Sequence, residues 1–335
     1  MKNTFINAIK LVIFLIVFIA IFFFIKFSMQ VEKNNLVSYN GFLHLDGTSL
    51  CNKYNEPIQL KGVSSHGIQW FSDVITFDTL KQLRDDYGMN VFRVAVYTEE
   101  NGYISQPNVI KNRVIDIIDI CIDLDLYVVL DWHILNDGDP NTYLDESIEF
   151  FDEISSKYKN IPNILYEICN EPNGENITWD KIRNYANEVI PVIRKNNKNS
   201  IIIVGTPNWS KDIVSVADAP LDCKNIMYSC HFYSGSDDNT SISSIKYAFQ
   251  HNVPVFVSEW GLTDLSGDGD LYFDNANYWL NFLNKKNISW IYWSFSNKDE
   301  SSSILKASYN VDNFSSFSDF LTEAGKFILS KISNN

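Results

Sequence analysis

The stretch from Ile164 to Gly174 reads Ile-Leu-Tyr-Glu-Ile-Cys-Asn-Glu-Pro-Asn-Gly, an apolar run that stops at a polar tip with Asn170 and Glu171 side by side. A short apolar run closed by Asn, Pro and Gly is the mark of a buried strand. Working outward, seven more runs rich in Val, Ile and aromatics share the pattern: Gln59 to Ser64, Val91 to Val96, Tyr127 to Trp132, Ser200 to Val204, Ile226 to Cys230, Val255 to Ser258 and Trp290 to Trp293. Amphipathic segments separate them at Phe77 to Tyr87, Val109 to Leu124, Tyr143 to Tyr158, Trp179 to Lys195, Ser241 to Gln250 and Asp270 to Asn284, and Phe314 to Lys331 follows the last. Lys211 to Leu221 predicts only a short helix. Strand and helix in alternation indicate βα units around a parallel sheet, and eight units without a linker predict one (β/α)8 barrel of the TIM type. An open doubly wound sheet would bring a Gly-x-Gly-x-x-Gly turn after its first strand, and none is present. Ahead of the barrel, Tyr39 to Leu60 carries Asn-Gly, Asp-Gly and Asn-Glu-Pro turns between apolar segments, which predicts an N-terminal β-hairpin.

The 335 residues are 45% hydrophobic and 20% charged, the balance of a globular chain with a large core. A formal charge of −14 argues against a nucleic-acid partner, because phosphate binding is driven by Lys and Arg. Lys2 and Lys10 precede an apolar run from Leu11 to Ile25 that Lys26 closes. Residues 1–30 therefore predict a signal peptide, or, left uncleaved, a signal-anchor over residues 9–27 with the barrel outside. Export, with a secreted or surface-anchored barrel, is expected either way; residues 31–35 are a linker and 36–335 a single domain. Five cysteines without Cys-x-x-Cys spacing argue against a zinc site. Cys121 and Cys169 lie in apolar contexts and are expected as buried thiols, whereas Cys223 and Cys230 are candidates for a disulfide bridge.

In such a barrel, residues at the C-terminal ends of strands face the site. Those positions hold His66 after the first strand, Arg93 and Tyr97 at the second, His133 at the third, and Asn170 and Glu171 at the fourth. Trp209 lies beyond the fifth, His231 and Tyr233 follow the sixth, Glu259 the seventh and Trp293 the eighth. The three histidines fit polar contact with a ligand better than metal binding, since no carboxylate or Cys stands at a ligand spacing. No metal and no cofactor are expected. Glutamates on the fourth and seventh strands can enter one cleft, as hydrolysis of a glycosidic bond by an acid and a second carboxylate requires. Arg93 is the single cation at these tips, and it favours an ionised Glu259 as nucleophile, leaving Glu171 to carry the proton.

Seven ordered blocks resemble glycoside hydrolase family 5, and within it the bacterial-type endoglucanases. They are Lys-Gly-Val-Ser-Ser-His-Gly-Ile-Gln-Trp (61–70), Asn-Val-Phe-Arg-Val-Ala-Val-Tyr-Thr (90–98), Asp-Trp-His-Ile-Leu (131–135), Tyr-Glu-Ile-Cys-Asn-Glu-Pro-Asn-Gly (166–174), Met-Tyr-Ser-Cys-His-Phe-Tyr (227–233), Val-Ser-Glu-Trp-Gly (257–261) and Trp-Ser-Phe-Ser-Asn-Lys-Asp-Glu (293–300). The resemblance spans about residues 36–332. It implies a retaining endo-β-1,4-glucanase with Glu171 as acid/base and Glu259 as nucleophile. Asn170 would hold the 2-hydroxyl of the sugar, Arg93 and Tyr233 would support Glu259, His133 and His231 would line the subsite, and Trp293 would floor it. His66, Trp70, Trp209, Lys298 and Glu300 would bind neighbouring glucose units, with Tyr97 in the same group. The sequence departs from the family pattern at Cys169, where Ala is usual, and in the loop Leu-Thr-Asp-Leu-Ser-Gly-Asp-Gly after Glu259. With no second, carbohydrate-binding domain expected after the barrel, action on soluble or amorphous β-glucan is expected rather than on crystalline cellulose; a monomer is also expected. Mannan, xylan or mixed-linkage glucan are alternative substrates, and a barrel that binds glucan without cutting it is the alternative from another class.

Overall fold

A computed structural model describes residues 36–236, 240–312 and 316–333, with residues 10, 13, 14, 17 and 18 near the N-terminus. The expected signal segment lies almost entirely outside the described residues. Among the described residues no helix is long and apolar enough to cross a membrane.

Two short antiparallel strands, β1 (His44–Asp46) and β2 (Ser49–Cys51), form the expected hairpin, with Gly47 in the left-handed region at φ 58°. Eight parallel strands follow: β3 (Lys61–Ser65), β4 (Val91–Tyr97), β5 (Tyr127–His133), β6 (Ile164–Glu167), β7 (Ile202–Val204), β8 (Ile226–Ser229), β10 (Val255–Gly261) and β11 (Trp290–Phe295). They pair in chain order, β11 returns to both β3 and β10, and the ring is closed. The two-residue β9 (Phe232–Tyr233) pairs with the far end of β10. Around the ring stand α1 (Phe77–Tyr87), α2 (Pro107–Asp123), α3 (Leu144–Lys157), α4 (Trp179–Asn196), the short α5 (Ile213–Asp218), α6 (Thr240–Gln250), α7 (Phe273–Lys285) and α8 (Glu323–Ser333). The closing helix thus begins nine residues later than its sequence suggests. Phe317 is the reason: it is fully buried against Phe295, at 5.6 Å, and Tyr87, at 6.2 Å, which holds its segment as a packed loop with one 3-10 turn.

Side chains alternate faces along a strand, and in this ring both faces are buried. The outward set, Phe92, Val94, Leu130, Tyr166 and Tyr228 among them, merges with helix residues such as Leu80, Ile118 and Phe150 into one large core. The inward set begins, at the N-terminal end, as a second apolar cluster of Val91, Val129, Leu165, Ile203, Met227, Phe256 and Ile291. Leu43, Leu50, Ile58 and Leu60 cap that cluster from below, and the Tyr127 hydroxyl donates to the Gly41 carbonyl at 2.7 Å. Two residues further along the same strands the inner wall turns polar.

All five cysteines are free thiols. Cys121 and Cys169 are buried as expected. The Cys223–Cys230 bridge is not formed: Cys230, the residue after β8, is buried in the helix-facing core, while Cys223 is exposed in the loop before that strand.

Candidate active site

Fully buried Arg93, mid-strand on β4, is the hub of the polar layer. Its Nε donates to Glu167 Oε2 at 2.7 Å, Nη1 to Glu259 Oε2 at 3.1 Å, and Nη2 to Asn170 Oδ1 at 2.7 Å, while Nη2 also lies 3.0 Å from Asp131 Oδ2. Burial alone would weaken the guanidinium's hold on its proton, but Asp131, Glu167 and Glu259 outweigh it and keep Arg93 charged. Three carboxylates share this one cation and do not respond alike. Burial raises Asp131 well above the carboxylate range, with Glu167 and Glu259 adding to the rise. Glu167 feels the same burial, yet Arg93 and then His231 overcome it and hold its pKa at about 2.

Glu259, on β10, has a donor on each oxygen: Arg93 on Oε2 and the Tyr233 hydroxyl on Oε1 at 2.9 Å. The Tyr233 ring lies directly over Gly261, where a Cβ would come within 2.4 Å of the ring edge, so glycine is required for that hydroxyl to reach Glu259. Glu171 stands past the end of β6, and its Oε1 is 2.9 Å from His231 Nδ1. His231 in turn places Nε2 2.9 Å from Ser258 Oγ. One ring nitrogen of His231 and one oxygen each of Glu171 and Glu259 all lie within 4.8 Å of one another. Both His231 nitrogens are already engaged and Glu259 is doubly hydrogen-bonded, so the triangle does not read as a metal centre.

The walls are aromatic. His133 stacks between Tyr97, at 4.2 Å, and Trp293, at 5.3 Å, and fixes Nδ1 2.7 Å from Asp131 Oδ2. Burial, with Arg93 next, lowers the His133 pKa to about 3, so it is neutral. His66 is likewise lowered to about 3, by burial and then by Lys298, whose Nζ lies 3.3 Å from His66 Nε2 and also pairs with Glu300. Trp70 and Trp209 keep 42% and 44% of their surface exposed, enough to offer a flat face to a ligand. Asn208, Trp209 and Ser210 take φ of 56°, 56° and 55°, a left-handed run that non-glycine residues rarely adopt. Hydrogen bonds hold it: Trp209 N donates to the Pro172 carbonyl at 3.0 Å, Ser210 Oγ to the Asn170 carbonyl at 2.6 Å, and His231 N to the Ser210 carbonyl at 2.8 Å. The exposed tryptophan is therefore tied to the tip that carries Glu171.

These groups surround a cleft of about 810 Å³. Of the residues expected from sequence, His66, Trp70, Tyr97, His133, Glu171, Trp209, Tyr233, Glu259, Trp293, Lys298 and Glu300 line it. Arg93, Asn170 and His231 do not. They are fully buried beneath the floor, and both ends of the Asn170 amide are engaged, with Nδ2 donating to the Ile134 carbonyl at 3.1 Å. Sequence reasoning missed the buried layer of Asp131, Glu167, Ser229 and Ser258, and the walls contributed by Asn208, Lys211, Leu265 and Gly267. The signal for Glu167 was a charge inside the apolar run Ile-Leu-Tyr-Glu-Ile.

The model of the cellulase family, glycosyl hydrolase family 5, matches residues 51–299. Endoglucanase A of Evansella cellulosilytica is 47% identical over 278 residues, covering 83% of this chain and 57% of the relative. An endoglucanase of Clostridium saccharobutylicum is 45% identical over 295 residues, covering 88% of this chain and 66% of that one. The chain thus spans between half and two thirds of the length of these relatives. Among solved structures, the catalytic domain of Thermobifida fusca endoglucanase Cel5A in complex with cellotetraose superposes with a TM-score of 0.85 at 36% identity, covering 88% of this chain and 98% of that one.

Proposed function

The chain belongs to the cellulase family, glycosyl hydrolase family 5, and from that premise we propose that it is a retaining endo-β-1,4-glucanase. The observation that carries the reading is the approach of Glu171 and Glu259 to within 4.8 Å, the separation of a direct-attack pair rather than of one that leaves room for a water. Glu259, with Arg93 and Tyr233 on its two oxygens, attacks the anomeric carbon as the nucleophile. Glu171, protonated, gives its proton to the departing glycosidic oxygen and then takes one from the water that releases the sugar.

Trp293 and His133 floor the subsite of the reacting ring, and Trp70 and Trp209 stack on sugars to either side. Asn170 holds Arg93, and through it the oxygen of Glu259, in place. His66, Lys298 and Glu300 offer polar contacts further along the cleft. The substrate is a β-glucan chain, as the cellotetraose complex of the Thermobifida fusca relative supports. Residues 36–335 form the catalytic domain, and residues 1–30 direct its export; N-terminal sequencing of exported protein tests the latter.

Product analysis on carboxymethylcellulose, mixed-linkage glucan, mannan and xylan is the direct experiment. A fast fall in viscosity with new reducing ends from carboxymethylcellulose is expected. Products from mannan or xylan alone would redirect the substrate, and binding without products would end the hydrolase reading.

A further inference from the structure

Glu167 neither lines the cleft nor touches a position a sugar could occupy, yet it stands behind both glutamates of the reacting pair. Its Oε2 accepts from Arg93 Nε at 2.7 Å, and Arg93 holds Glu259. Its Oε1 accepts from Ser258 Oγ at 2.5 Å and from Ser229 Oγ at 3.0 Å. Ser258 Oγ lies 2.9 Å from His231 Nε2, and His231 Nδ1 lies 2.9 Å from Glu171 Oε1. All four of these supporting residues, Arg93, Ser229, His231 and Ser258, are fully buried.

Counting hydrogens along this chain fixes the histidine. An ionised carboxylate has none to give, so the single hydroxyl proton of Ser258 points at Glu167. Toward His231 the hydroxyl then offers only lone pairs, and Nε2 must carry hydrogen. The lone pair of the neutral ring is left on Nδ1, facing Glu171. Building on the hydrolase reading, we propose that Glu167 is a positioning residue that acts through Ser258 to fix His231 as the Nε2–H tautomer, so that Nδ1 and Glu171 share the one proton used in the acid step.

The proton count closes over a cycle. As the C1–O bond breaks and the bond from Glu259 to C1 forms, the shared proton leaves Glu171 for the glycosidic oxygen. Water then gives a proton to Glu171 while its oxygen bonds C1 and the bond to Glu259 breaks, so the pair again holds one proton. The groups that face His231 are Glu167 and Glu171 from β6 and its tip and Glu259 and Ser258 from β10, with Asp131 and His133 of β5 within electrostatic reach. Burial alone would lower its pKa; the carboxylates, Glu167 first, push it up to about 9. Removing the Glu167 charge should therefore loosen the shared proton.

The test is the pH dependence of kcat/KM on a soluble cello-oligosaccharide for wild type, Glu167→Gln and Ser258→Ala. The alkaline limb is expected to move to lower pH by about one unit in Glu167→Gln, the effect of losing one close charge, and in the same direction by less in Ser258→Ala, which keeps Glu167 paired with Arg93. A rate loss that is uniform in pH, with the limb unmoved in Ser258→Ala, would overturn the proposal. Nitrogen-15 NMR of the His231 ring in unliganded wild type reads the tautomer without any activity. Above its titration Nε2 is expected to retain hydrogen and Nδ1 to be bare; the opposite tautomer would overturn the proposal even in an active enzyme, whereas the expected tautomer in a protein that cuts no glucan would place the failure in the hydrolase reading alone.

Discussion

Along the inner wall of the barrel the same strands change character over a step of two residues. Val91 gives way to Arg93, Val129 to Asp131, Leu165 to Glu167, Met227 to Ser229 and Phe256 to Ser258. The lower layer is apolar and capped by the hairpin; the upper holds one guanidinium, several carboxylates and the hydroxyls between them. Both layers are buried, but burial does opposite things to them. Removing apolar surface from water stabilises the lower layer by roughly 25 cal/mol per Å². In the upper layer desolvation is a cost that hydrogen bonds and charge pairing only offset. The difference implies that the lower half holds the fold and the upper half uses that stability to keep charged groups aligned.

Substitutions that separate the two layers sharpen this contrast. Glu259→Gln should lower kcat by roughly 10⁴-fold or more while the protein stays folded, the scale of losing a covalent nucleophile; reducing-end release from carboxymethylcellulose reads it, and a near-normal rate would break the assignment. Glu171→Ala should cost about 10²- to 10⁴-fold on glucan, the range for a general acid. Aryl glycosides with a good leaving group should be far less affected in forming the glycosyl-enzyme, which burst kinetics would reveal. One layer lower, Leu165→Ala should leave kcat per folded molecule unchanged but reduce stability by about 2–5 kcal/mol, measured by urea unfolding.

Protonation offers a finer cut. His231 has a pKa of about 9 in the folded protein against an ordinary 6.5. A raised folded-state pKa gives stability that is complete below about pH 6.5 and lost as pH climbs through about 9, up to about 3 kcal/mol from the size of the shift. Urea midpoints measured from pH 6 to 10 should decline over that window in wild type and stay flatter in His231→Asn. The smallest effect is expected furthest from the charged floor. Trp209→Ala should raise KM for polymer by about three- to tenfold, the loss of one stacking contact, with kcat on an aryl cellobioside held.

Much of the barrel was legible because a strand buried on both faces reads as a continuous apolar run, and α1 falls on the residues its periodicity predicts. The closing helix was misplaced because Phe317 looks like part of an amphipathic face, whereas its partners Tyr87 and Phe295 lie more than twenty residues away in sequence. The reacting pair was legible because Glu171 and Glu259 each follow an apolar run in the sequence, at a polar tip where the fold directs attention. Glu167 and Ser258 were not: each reads as a single polar residue beside apolar neighbours, and its meaning depends on pairing across the barrel interior that no local pattern reveals. Arg93 was recognised, but as a group at the strand tip, and it is instead buried mid-strand, directly behind the cleft-lining Glu259. The loops that bring Asn208, Lys211 and Leu265 to the cleft have neither periodicity nor a fixed register to announce them.

The hairpin at the bottom of the barrel acts as electrical insulation. Leu43, Leu50 and Leu60, with the Tyr127 hydroxyl pinned to Gly41, seal the end of the barrel opposite the cleft. Charges interact far more strongly where water is excluded, so this seal sets how tightly Arg93 and Glu167 hold each other. A hairpin loosened at Gly41 or Leu50 would let solvent reach the charged layer from beneath and leak away its field, and the damage would register in the pH profile of the distant reaction before it registered in the melting of the fold.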